Sequence, residues 1–100
     1  MATRFIDELR FSAGAEEELA AHGLVPEDVL DVWSEGPSFF RDKELGRDLM
    51  IGRTVGGELL TVVIEPTSEY GAWDVVTGWS SDADERAAWA NDHRQAGKKR

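Results

Sequence analysis

Cysteine is absent from this 100-residue chain. That excludes a disulfide framework, a thiolate zinc site and a thiol nucleophile. Long apolar runs are missing too. None approaches the roughly 18–20 residues needed to span a bilayer, and the opening MATRFIDELR lacks a signal peptide's apolar stretch. A cytoplasmic domain is the expectation. The two histidines, His22 and His93, lie at opposite ends of the chain, at neither of the helical spacings that metal ligands use, so no metal and no cofactor are expected. A glycine-rich phosphate loop is also missing. Gly56-Gly57 falls between two apolar segments and not before a helix, so it reads as a hairpin turn. A Ser-His-Asp set can be drawn on paper, but no nucleophile-elbow spacing supports it.

Basic charge is the other scarcity. Lys and Arg number 11 against 20 Asp and Glu, for a net charge of -9. The balance is uneven. Residues 94–100, RQAGKKR, hold four basic residues and no acid, which leaves seven basic residues against all 20 acids in residues 1–93. Only residues 41–65, with Arg41, Lys43, Arg47 and Arg53, come near neutrality. Nucleic acid prefers a basic footprint, and this body offers none overall. A basic protein partner suits it better. Hydrophobic residues at 41% argue against disorder, and the length suits one domain with one modest core. Residues 1–93 are read as a single α+β domain, and 94–100 as a frayed basic tail.

The patterning alternates between helix and strand periods. Residues 1–11 suit either a short helix or a strand near Phe11; a short helical or irregular start is preferred. Ser12 can cap a helix over about residues 13–22, with Glu16, Glu17 and Glu18 near its positive end and Gly23 as its stop. Pro26 suits a first helical position, Glu27 and Asp28 the first turn, and Val29, Leu30, Val32 and Trp33 an apolar stripe that ends at Gly36-Pro37. Phe39 and Phe40 begin a strand, RDKELGRD reads as a turn, and residues 49–55, 58–65 and 72–79 are strands. Ser81 or Asp82 can cap a last helix, with an acid three residues on and Ala87, Ala88 and Trp89 on its apolar side. The expected fold is α+β: two N-terminal helices, an antiparallel β-meander of three to four strands and a C-terminal helix, with the helices on one face of the sheet.

Chemistry has few candidates. His22 can act as a general acid or base near neutral pH. The arginines of the sheet region can hold phosphate and stabilise a developing oxyanion. His22 with Arg53 would then support metal-independent RNA cleavage by 2′-hydroxyl attack. The plainer readings are a histidine at a helix C-terminus favoured by the dipole, a solvated strand arginine, and core packing for Trp33, Trp73, Trp79 and Trp89.

Three stretches, in order, resemble one family. His22-Gly23-Leu24 followed by Pro26-Glu27-Asp28-Val29 is similar to the HGV-x-P-E-E-V entry of the BrnT-like toxins, within the RelE/ParE-like toxin superfamily of bacterial toxin–antitoxin pairs. Ile51-Gly52-Arg53-Thr54, with Gly57-Glu58-Leu59-Leu60-Thr61-Val62-Val63, is similar to the family's IGRT-x-x-GRLLTVV hairpin. Trp73-Asp74-Val75-Val76-Thr77, then Asp84-Glu85-Arg86 and Trp89, resembles its third strand and following helix. The likeness spans about residues 11–90. It implies a RelE-like two-layer fold, metal-independent endoribonuclease activity on mRNA, and silencing by a basic or DNA-binding antitoxin. It carries His22 and Arg53 over as catalytic residues, with Glu85 and Arg86 matched at the last helix. Arg41, Arg47 and Arg86 are the candidate RNA-binding residues.

The chain departs from the pattern at Glu58 and Trp79, where the family has arginines, and at Ala21, where many members have lysine. Each departure removes a phosphate contact, and Glu58 adds repulsion. Two further readings therefore stand beside the ribonuclease. One is a toxin-fold protein that has lost cleavage and acts as a protein-binding partner or regulator. The other is an unrelated small binding module. Arg41, Arg47 and Arg53 gathered on one face would favour the enzyme; scattered, they would favour the binder.

Overall fold

The computed structural model describes residues 5–98, with 96–98 described through the backbone alone. The first four residues of the expected irregular start, and the last two of the expected basic tail, lie outside that range.

The first helix, α1 (Ala13–Ala21), begins where Ser12 accepts the Ala15 N–H at 3.1 Å. It ends as Gly23 takes φ +76 and the Leu24 N–H reaches the Leu19 carbonyl at 2.9 Å, a glycine-terminated C-cap. Helix α2 (Pro26–Ser34) has Pro26 in its first turn, and the Asp28 carboxylate accepts the Val25 N–H at 3.0 Å. Both helices form as the caps and the apolar stripe dictate.

Strands β2 (Ser38–Asp42), β3 (Arg47–Arg53), β4 (Leu59–Pro66) and β5 (Ala72–Ser80) form the expected antiparallel meander. The β3–β4 connection is longer than a two-residue turn. Thr54 N–H donates to the Glu58 carbonyl at 2.8 Å around Val55-Gly56-Gly57, and Gly57 takes φ +93.

Two expectations are corrected. The described part of the start, residues 5–11, is not helical. Glu8–Arg10 forms a strand, β1, parallel to β5 with Leu9 opposite Trp73, so the sheet is five-stranded and mixed in the order β1-β5-β4-β3-β2. Ile6 and Leu9 fit either period, and the decision came from β5, whose outer edge offered unpaired backbone groups for Leu9 to bury beside.

The second correction concerns layers. The helices do not share one face. Leu9, Leu19, Leu24, Val29 and Val32 pack against Met50, Leu60, Val62, Ile64 and Val75 on one side. The opposite side carries the aligned row Ser38, Ile51, Thr61 and Trp79. The last helix, α3 (Ala83–Lys98), crosses that row. Its Glu85 accepts from Thr61 and Trp79, and its Asp92 accepts from Ser38. The fold is therefore α+β with three layers: a helix pair, the sheet, and a single helix. The cause is visible in β4, where Leu60 through Ile64 are all buried. A strand apolar on both faces needs cover on both.

Candidate functional site

Strand alternation disperses the arginines. Arg41 sits opposite Asp48, on the α1/α2 side of the sheet, and its guanidinium bonds that carboxylate at 3.1 Å. Arg47 sits opposite Asp42 on the α3 side, paired at 3.2 Å. The Asp42 carboxyl is held below its ordinary pKa by the backbone N–H of Leu45, with help from Arg47 and the Glu44 N–H. Arg53 shares Arg47's face but ends the same strand, six residues away, a separation of about 20 Å. Arg86 is exposed on α3 and makes no ion pair among the described residues. The four arginines do not converge.

Nor do His22 and Arg53 meet. His22 closes α1 beside the Trp79 indole of β5, with ring centroids 6.3 Å apart. Arg53 lies on β3, beyond β4, with its guanidinium 5.0 Å from the centre of the Trp89 ring. No hydrogen bond or ring contact joins the two residues.

Between them stands Glu85. Its carboxylate accepts from Trp79 Nε1 at 3.0 Å, from Thr61 Oγ1 at 3.0 Å and from the Asp82 backbone N–H at 2.9 Å. Asp82 returns the bond to the Glu85 N–H at 2.8 Å, completing a capping box for α3. Thr61 also shares a hydrogen bond with Ser81 at 2.8 Å. Glu85, matched through the resemblance, thus ties β4, β5 and α3 together. Trp79, which stands where the family has an arginine, serves the same knot.

What the fold does bring to Arg53 is the far half of α3. A cleft of about 310 Å³ is lined by Arg53, Thr54, Val55 and Gly57 from the β3–β4 end, by Glu35 and Gly36 after α2, and by Trp89 and His93. The His93 and Trp89 rings lie 4.2 Å apart, and His93 Nδ1 is 3.2 Å from the Trp89 carbonyl. Arg53 has no carboxylate partner among the described residues. Behind the cleft the buried Ser38 hydroxyl donates to Asp92 at 2.6 Å, with His93 Nδ1 at 3.5 Å. This is not a nucleophile triad. The carboxylate accepts the serine's hydrogen bond and does not orient the imidazole, and Ser38 is only 4% exposed.

Sequence reasoning missed His93. Its distance from His22 argued only against a metal site. The usable signal was helical spacing, which puts Glu85, Trp89 and Asp92–His93 on successive turns of one helix. Among the described residues no group of three His, Asp or Glu side chains is placed to hold a metal ion, and no helix is long and apolar enough to cross a membrane. In comparisons with known proteins, no family model matches this chain and no curated protein matches it.

Proposed function

We propose that the chain is a cytoplasmic BrnT-like, RelE-type toxin-fold protein that acts by binding a basic protein partner, an antitoxin-like protein, with RNA cleavage lost. The observation that carries this reading is the dispersal of its cations. Arg41 and Arg47 lie on opposite faces, each paired with an aspartate, and His22 does not approach Arg53. Phosphate recognition needs converging, unpaired donors. A body with 20 acidic residues instead suits a basic segment laid across it, with association steered by charge.

A second reading, metal-independent RNA cleavage, draws on one observation. Arg53 is unpaired in a cleft with an aromatic wall and a histidine, which is His93 and not His22.

Induced expression of the intact chain in bacteria separates the two. Protein binding predicts unchanged growth and intact transcripts, together with recovery of a basic partner whose affinity falls at least about tenfold as salt screens the contact. Transcript loss that disappears with Arg53→Ala would sink the protein-binding reading.

A further inference from the structure

The cleft beside Arg53 is lined by two unanswered charges of opposite sign. One is the Arg53 guanidinium, at the end of β3 and 5.0 Å from the centre of the Trp89 ring. The other is the carboxylate of Glu35, the C-cap residue of α2. Both residues are exposed, and neither has an ion pair among the described residues, with each other or elsewhere. The last turn of α2 carries no basic residue. Its carbonyl end is the negative pole of the helix, so it reinforces the Glu35 carboxylate in favouring a cation.

Arg53 is prepared for an anion. His93 holds the indole that carries the guanidinium: the Trp89 and His93 ring centroids are 4.2 Å apart, and His93 Nδ1 lies 3.2 Å from the Trp89 carbonyl. With its face toward the indole, the guanidinium keeps its forked N–H edge, which matches a carboxylate. The Thr54 hydroxyl, on the same cleft, accepts the Glu58 N–H at 3.2 Å and so keeps its own proton to donate. Net charge then selects among ligands. A phosphate or a nucleic acid brings excess negative charge to Glu35 and to a chain at -9. A simple cation is drawn to Glu35 and repelled by Arg53. A ligand with one carboxylate and one ammonium is neutral overall and meets neither repulsion. The space, about 310 Å³, is small for a ligand site.

We propose that this cleft binds a free α-amino acid as its zwitterion. The carboxylate lies on Arg53 and Thr54, and the ammonium on Glu35 and the carbonyl end of α2. The site goes beyond the protein-binding reading and does not depend on it.

The test is an NMR titration of the isotope-labelled full chain, read at the Trp89 indole N–H, whose signal is identified with Trp89→Phe. Glycine is expected to give a saturable shift in the millimolar range. Acetate and methylammonium each carry half of its charge pattern. They and inorganic phosphate should bind at least about tenfold more weakly. Arg53→Gln and Glu35→Gln, both at exposed positions, should each weaken glycine about tenfold, while Glu27→Gln, in the first turn of α2, should not. The Trp73 indole N–H, bonded to the Phe5 carbonyl outside the cleft, reports that each variant stays folded. Wild-type glycine affinity in both Arg53→Gln and Glu35→Gln overturns the site. Phosphate binding tighter than glycine, or loss in Arg53→Gln alone, overturns the zwitterion in favour of a simple oxyanion site. Absence of a saturable shift with glycine, L-alanine and L-serine overturns the proposal outright.

Discussion

Glu85 is the residue on which local sequence and tertiary contact agree most fully. The capping pattern from Asp82 to Glu85 was legible, because a side-chain acceptor at the start of a helix satisfies otherwise orphaned N–H groups. The bonds to Thr61 and Trp79 were not, since they depend on which strands lie beneath α3. Glu85→Ala should lower the unfolding free energy by about 2 kcal/mol, combining a lost cap with lost charge-assisted hydrogen bonds. Urea denaturation measures it; a wild-type midpoint would show that the carboxylate does not hold α3 to the sheet. Asp42 makes a second prediction. Its folded pKa is lowered, chiefly by the Leu45 N–H, so the stability it contributes is present above the unfolded aspartate value, about 3.9, and is lost as pH falls through the folded one. Asp42→Asn should therefore flatten the acid limb of Tm against pH below about pH 4. An unchanged acid limb would exclude Asp42 as a source of that slope.

At the scale of elements, caps and apolar periods placed α1, α2, the meander strands and the start of α3, because these signals are local. The strand at Glu8–Arg10 and the side of the sheet that α3 covers were not local decisions. The first depended on the vacant edge of β5. The second depended on β4 being apolar on both faces. Gly52 records a packing constraint of the same kind. It lies on β3 beneath the end of α2, and a Cβ there would stand 3.0 Å from Pro37 Cβ and 3.1 Å from Val32 Cγ1. Gly52→Ala should cost about 1–3 kcal/mol by overpacking, whereas Gly56→Ala, in the exposed turn and 3.8 Å from its nearest neighbour, should stay within about 0.5 kcal/mol. Equal melting temperatures for the two variants would show that α2 yields easily over β3.

Across the whole molecule, the sheet works as a distributor of charge. Alternation sends Arg41 to one face and Arg47 to the other, and each meets an aspartate on the neighbouring strand. The arginines of the nearly neutral middle segment are thereby divided into two local pairs and Arg53, whose guanidinium lies over Trp89 with no carboxylate partner among the described residues. The acids behave differently. Glu17 and Glu18 on α1 are far in sequence from Glu65 and Asp74, yet the packing of α1 beside β5 gathers them around one cleft. Cations that look close in sequence end up apart, and carboxylates that look scattered end up together.

The sequence by itself determined the excess of acid, the absence of thiol chemistry, the helix caps and the meander, because composition and local periodicity act within a few residues. Only the tertiary structure decided that His22 and Arg53 stay apart, that His93 joins Arg53, and that carboxylates of α1, β4 and β5 gather around one cleft. Those outcomes depend on strand register and on the face each helix covers, and both are settled by burying apolar surface between elements distant in the chain.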